Sequence, residues 1–327
     1  MVSLWKHVGC LNDSYFIKYR QKFWFSRREA QKNAIIILDM RINLHCHSNK
    51  SDGVNTPASL IDILARNDLD IVSLTDHDSI AGIEEAKICC INKGITLIPG
   101  IEFSASLAES SLSFATKHTA CHILAYGFDV EMMKEKIKAH HHKMKAGVIA
   151  LINDLQAMGY DIKESELPDN DFWTSLDVAR IIVKKGYASR IWTAAFDEII
   201  QKAEHRRIFF CGPKEIIDMV HECGGIAFAA HPFDIIEDDM KIRVSKEVVD
   251  EMLPFLVDAG IDGVEGCYQP YNLEMREYSL EFAKKNNLLI SYGTDFHGGR
   301  SYEEAKHIEI AKAPDWIIKR IIKGVDL

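Results

Sequence analysis

The run Ile42-Asn43-Leu44-His45-Cys46 and its continuation His47-Ser48-Asn49-Lys50-Ser51-Asp52-Gly53 decide the fold. A short apolar stretch of β character ends in two histidines and passes into a small polar turn. Thr56-Pro57 then opens a helix, with proline at the first helical position, and Ser59–Asn67 carries its apolar face. The pattern repeats at once. Ile71–Thr75 is a second apolar run, it ends in Thr75-Asp76-His77, and Ser79–Lys93 follows as a helix closed by Gly94. Strand, chemistry-bearing loop and helix in this order are βα units, which predict a parallel sheet.

Further along the chain the runs Thr96–Phe103, His122–Phe128, Gly225–Ala230, Gly263–Tyr268 and Leu288–Gly293 bring the expected strands to seven. Pro213–Glu222, Val248–Ala259 and Leu273–Asn286 are expected helices. One segment breaks the alternation. Asp129 to Gly212 holds no strand-like run; Glu131–Met158 reads as one long helix or two, Asp161–Thr174 as a polar loop, Ser175–Gly186 and Ala194–His205 as further helices. A βα loop of that length needs its own structure. The expected division is therefore a barrel over 40–128 and 213–327, a helical insertion over 129–212, and an appendage over 1–39. Within the insertion, His140-His141-His142 lies in a Lys-rich amphipathic stretch and is expected on a solvated helix face, with metal binding as the alternative.

Composition narrows the class. The 327 residues are 47% hydrophobic and 27% charged, enough for a sizeable core and incompatible with wholesale disorder. A net charge of −9 is a poor match to duplex nucleic acid. No apolar run approaches the roughly 18–20 residues of a membrane span; Ala34–Leu38 is five residues long. The eight cysteines form no Cys-x-x-Cys pair and read as reduced, mostly buried thiols, which points to the cytoplasm. Residues 1–39 carry a net charge of +4 against −13 for the remainder, and lack the apolar region and cleavage site of a secretory signal. They read as an appendage or as an over-extended start ahead of Met40.

The chemistry lies at the strand ends, where parallel β/α barrels place their active sites. His45 and His47 end the first run, Asp76 and His77 the second, His231 the fifth, and Asp295 and His297 the seventh; Glu102 lies in the third, His122 near the start of the fourth and Glu265 in the sixth. His45 and His47 are two residues apart, so on a strand both imidazoles share a face while Cys46 points to the other. Asp295 and His297 repeat the device. Histidine and carboxylate ligands without thiolates suit Zn²⁺, Mn²⁺ or Fe²⁺. Glu265 is expected either to support a ligand from behind or to be a buried acid paired locally; Tyr268 and Tyr271 to flank a substrate or pack the rim.

These stretches together resemble the PHP (polymerase and histidinol phosphatase) family of metal-dependent phosphoesterases. The resemblance rests on His45-Cys46-His47-Ser48, Ser51-Asp52-Gly53, Thr75-Asp76-His77-Asp78, Gly100-Ile101-Glu102, His122-Ile123-Leu124, Ala230-His231-Pro232 and Gly293-Thr294-Asp295-Phe296-His297-Gly298. It implies a distorted (β/α)7 barrel, TIM-like, with a helical insertion after the fourth strand. It also implies two to three divalent metal ions: one on His45, His47, Glu102 and Asp295, a second on Glu102, His122 and His231, a third on Asp52, His77 and His297. Asp76 would orient a ligand histidine. Asp52 stands where many members have histidine, which goes with the nucleotide and small-phosphoester branch.

The implied reaction is attack on phosphorus by a metal-bridged hydroxide, with the ions neutralising phosphoryl charge. Asp76 and His231 are the candidates for the general acid, and Arg180, Lys50 and Arg300 for phosphate clamps. The expected substrate is a small phosphorylated metabolite, either a nucleotide phosphomonoester or a cyclic phosphodiester. One departure bears on this. The branch of nucleoside-bisphosphate phosphatases and RNA-trimming exonucleases carries Arg-Pro-His in the insertion, where this chain has Ser175-Leu176-Asp177. The rival readings are a 3′,5′-nucleoside bisphosphate phosphatase or short-RNA 5′-exonuclease, a histidinol phosphatase, and a non-hydrolytic, metal-stabilised binding module.

Overall fold

In the computed structural model, which describes residues 41–67, 69–116, 119–191, 195, 198–205, 211–237, 240–298 and 311–312, the first βα unit forms as the sequence predicts. The expected appendage 1–39 and Arg300 lie outside the described residues. β1 (Arg41–Asn43) leads to α1 (Pro57–Ala65), which Thr56 starts by accepting the Ser59 N–H on its hydroxyl at 3.2 Å. β2 (Ile71–Leu74) leads to α2 (Ile83–Lys93), which ends on Gly94 in the left-handed conformation. The fold is mixed α/β. Among the described residues no helix is long and apolar enough to cross a membrane.

The chain divides into two units, Met1–Gly100 with Gly266–Leu327, and Ile101–Glu265. Two strands, β3 (Thr96–Ser106) and β8 (Gly263–Tyr268), run on from one unit into the other. In the first unit β1 pairs parallel with β2, and β2 with the start of β3 (Leu74 opposite Pro99). β9 (Leu289–Gly293), which follows α7 (Leu273–Lys285), continues alongside the chain after β1. Leu44 N–H bonds Tyr292 O at 3.0 Å, Asp295 N–H bonds His45 O at 2.9 Å and His47 N–H bonds Phe296 O at 2.9 Å. This parallel ladder interleaves the two i, i+2 pairs. A short β10 (Ala311–Lys312) lies antiparallel on β1.

In the second unit β4 (Thr119–Tyr126) is antiparallel to β5 (Ile226–Ala229), and β5 is parallel to β8. The sequence predicts β4 as one more parallel strand; the structure corrects this. The connection from β3 to β4 holds no helix among its described residues, and Leu107 N–H bonds Thr119 O directly at 2.9 Å. A parallel return needs a crossover, so the chain doubles back. Two strands of this unit were not foreseen: β6 (Asp234–Glu237) and β7 (Met240–Arg243) form a hairpin whose β6 pairs with the start of β4.

The segment expected as an insertion begins with α3 (Val130–Ala157), where the Asp129 carboxylate accepts the Met132 N–H at 2.8 Å. Met144, Val148, Leu151 and Leu155, spaced four or three apart on α3, are fully buried against Val178 and Ile182 of α4 (Ser175–Lys184). Each such side chain contributes about 1.5–3 kcal/mol. Of the expected helix Ala194–His205, residues 195 and 198–199 are π-helical and Ile200–Lys202 is a 3-10 helix. The solvated-face reading of the triple histidine is also corrected. His140 and His141 are buried; His140 meets Phe103 edge-on at 5.7 Å between ring centroids, and His141 stacks on Phe172 at 4.7 Å. Apolar positions either side of them turn that face inward, leaving His142 exposed. In the same unit α5 (Pro213–Glu222) precedes β5 and α6 (Lys246–Ala259) precedes β8.

Candidate metal centre

The first unit gathers six of the expected ligands. His45 and His47 place their Nε2 atoms 3.1 Å apart, and Asp295 Oδ1 lies 3.0 Å from His47 Nε2 and 3.3 Å from His45 Nε2. Cys46 turns the other way, as alternation requires, and its buried thiol bonds Ser73 O at 3.1 Å. Burial, then the Asp76 charge, push that thiol well above its ordinary pKa, so it offers no thiolate to a metal.

Asp52 bridges to the remaining histidines. Its Oδ2 lies 3.1 Å from His297 Nε2 and 3.8 Å from His77 Nε2, and its Oδ1 lies 3.8 Å from His47 Nδ1. The His47 ring stacks on His297 at 4.2 Å and lies 4.5 Å from His77. Partial burial works to raise the Asp52 pKa, but the charges and hydrogen bonds of His77, His297 and His47 outweigh it and hold the carboxyl well below the carboxylate range.

Asp76 secures the loop that carries Asp52. Its two oxygens accept Ser48 N–H at 2.6 Å, Ser48 Oγ–H at 2.7 Å and Ser51 Oγ–H at 2.9 Å. Burial raises its pKa, and His47 and these donors pull against that. Gly53 closes the turn by donating to Ser48 O at 2.9 Å, in a space where a Cβ would collide with the His47 and Ser48 backbone.

The second unit gathers the other three expected ligands. Glu102 Oε1 lies 3.0 Å from His122 Nδ1 and 3.0 Å from His231 Nε2. His122 reaches this cluster from near the start of its strand because β4 runs against β5. Ala230 N–H bonds His122 O at 3.1 Å, which brings His231 beside it. Burial, followed by the Lys241 charge, lowers the His231 pKa below its usual value despite the opposing pull of Glu102. A neutral imidazole is the form that binds metal. Glu265, fully buried, accepts the His231 backbone N–H on Oε2 at 2.8 Å.

Two of these residues adopt left-handed backbones, His231 at φ 24° and Asp295 at φ 55°. Neither is glycine, and such conformations cost about 1–3 kcal/mol each, strain that gathers at functional sites. Of the expected phosphate clamps, Arg180 is exposed and its Nη1 lies 3.1 Å from Asp177 Oδ1; Lys50 is exposed on the loop beside Asp52. Asp177 accepts the Thr174 N–H at 2.9 Å and so caps α4. The sequence reading missed Lys241, on a hairpin it did not foresee, and the tethering role of Ser48 and Ser51.

The donors fit divalent metal ions. The ligand atoms of His47, Asp52, His77 and His297 all lie within 4.8 Å of one another. Imidazole nitrogens with carboxylate oxygens and no thiolate are the set that suits Zn²⁺, Mn²⁺ or Fe²⁺.

Residues 43–157 match the family model described as PHP domain. The chain is 26% identical over 262 residues to a 5′-3′ exoribonuclease of Haemophilus influenzae, covering 79% of this chain and 90% of that protein. It is 24% identical to a phosphoribosyl 1,2-cyclic phosphate 1,2-diphosphodiesterase of Eggerthella lenta, covering 78% of this chain and 94% of that protein. The crystal structure of a proposed metal-dependent phosphoesterase from Bifidobacterium adolescentis superposes with a TM-score of 0.64 at 23% identity, over 88% of this chain and 97% of that one. That likeness shows a shared fold, and the PHP domain match lies within it, over residues 43–157.

Proposed function

We propose that this chain is a metal-dependent phosphoesterase that hydrolyses a small phosphorylated metabolite, a nucleotide phosphomonoester or a cyclic phosphodiester. The observation that carries the proposal is the pair of imidazole–carboxylate clusters: His45, His47, Asp52, His77, Asp295 and His297 in one unit, Glu102, His122 and His231 in the other. Two to three ions of Zn²⁺, Mn²⁺ or Fe²⁺ are the proposed complement. When bound, such ions supply a water acidified towards neutral pH and positive charge for phosphoryl oxygens. The chain's own contribution is to hold the ligands in place before substrate arrives. Asp76 anchors the Asp52 loop, and Glu265 anchors His231. Lys50 is the proposed cationic contact to phosphate beside the first cluster and Lys241 beside the second, and within that second unit the insertion is proposed to shape the pocket.

A second reading, a 3′,5′-nucleoside bisphosphate phosphatase or short-RNA 5′-exonuclease, draws on the Haemophilus relative. The capping role of Asp177 speaks against it, because an acid tied into a helix start does not grip a second phosphate. The buried free thiols support a cytoplasmic location. The test is a panel of phosphomonoesters, nucleoside bisphosphates, short 5′-phosphorylated RNAs and cyclic phosphodiesters in Mn²⁺. Turnover confined to monoesters or cyclic diesters supports the first reading, and preference for bisphosphates or RNA supports the second. Bound metal with no turnover on any class would favour a binding module.

A further inference from the structure

Tyr268 was expected to flank a substrate or pack the rim; its ring packs against Tyr271, and its hydroxyl makes a further contact. Its side chain is buried at the end of β8, and its hydroxyl donates to Asp295 Oδ2 at 2.9 Å. The other oxygen of the same carboxylate, Oδ1, is the one that faces the imidazoles of His45 and His47. The two oxygens of Asp295 are thus divided between a phenol and the ligand cluster.

We infer that Tyr268 is a positioning residue that fixes Asp295 as a single-oxygen ligand, presenting Oδ1 and withholding Oδ2. This rests on the metal-site reading above. Asp295 has a left-handed backbone, and its N–H is already committed to His45 O. A carboxylate so placed can rotate about its last bond, and the phenol hydrogen bond opposes that rotation. Tyr268 is itself held. Its ring meets Tyr271 edge-on at 4.9 Å, and Tyr271 N–H bonds Tyr268 O at 3.0 Å. Arg276 clasps the turn through Tyr271 O at 3.1 Å and Gln269 O at 2.9 Å. Gln269 N–H then bonds Gly293 O at 3.1 Å, two residues before Asp295. Donor and acceptor are tied to one frame, as partners of ligand side chains are elsewhere.

The test titrates Mn²⁺ into the metal-stripped full-length chain, comparing wild type, Tyr268→Phe, Asp295→Asn and the double variant, with the melting temperature of each stripped protein recorded. Tyr268→Phe removes one hydroxyl and is expected to weaken the Asp295-dependent Mn²⁺ affinity about 10–100-fold, the range for groups that orient ligands. In the Asp295→Asn background the same change is expected to cost nothing further, because its effect passes through the carboxylate. An unchanged affinity in Tyr268→Phe would overturn the inference. So would an equal loss in both backgrounds, which is the signature of a general folding effect and which the cycle cancels. Failure of the wild-type chain to bind Mn²⁺ would instead overturn the metal-site reading, so the two failures are distinguishable.

Discussion

The Glu265 carboxylate accepts the backbone N–H of His231 at 2.8 Å, and both residues are fully buried. The bond holds a histidine at φ 24°, a conformation a non-glycine residue does not keep unaided. Glu265→Ala strands a buried N–H and is expected to cost about 1–3 kcal/mol of stability and to weaken metal at the Glu102–His122–His231 cluster. Glu265→Gln keeps an acceptor oxygen and should lose much less. Thermal melting with metal titration of both variants checks this; equal losses would contradict it.

Removal of a ligand is expected to be more severe than loss of a group behind one. His47→Ala and Glu102→Ala should each lower metal content and turnover together, beyond the about 10–100-fold typical of outer partners. Elemental analysis beside activity is the check, and turnover near wild type with metal missing would contradict the assignment.

Much of the site was legible because β-alternation and strand-end placement are local signals. His45-Cys46-His47 and Asp295-Phe296-His297 announced two shared faces, and the structure interleaves them through the Asp295 N–H to His45 O bond. His122 looked misplaced near the start of its run; the direction of a strand is set by its connection, which a parallel template does not foresee. The β6–β7 hairpin escaped notice because Asp234–Arg243 is short and mostly polar. His140 and His141 were misread because the surrounding lysines outweighed the spacing of buried positions. Tyr268 was noted as a rim residue, but its bond to Asp295 was not legible, since that partner lies 27 residues away.

Acid should destabilise the metal-free chain through His231. Its pKa is lowered in the folded state, so below the unfolded value of about 6.5 the unfolded chain binds a proton that the folded chain refuses. By linkage its contribution to stability is present above that value and lost as pH falls below it. The melting temperature of the stripped protein should drop between pH 7.5 and 5.5. His231→Gln, which does not titrate, should reduce the drop, and an identical slope would contradict the assignment.

Asp177 separates structure from chemistry. Asp177→Ala removes the cap from Thr174 and should cost about 0.5–2 kcal/mol, with metal content unchanged. Differential calorimetry and elemental analysis read the two effects separately. Loss of metal in this variant would tie the insertion to the ligand clusters and contradict the account.

The central claim, that the two clusters serve metal-dependent phosphoester hydrolysis, is tested most directly by following turnover of a phosphoester substrate by the chelator-stripped chain before and after Mn²⁺ is returned. The account predicts no turnover in the stripped chain and recovery at two to three ions per chain. Full turnover by the metal-free protein, or no uptake of metal at all, would contradict it.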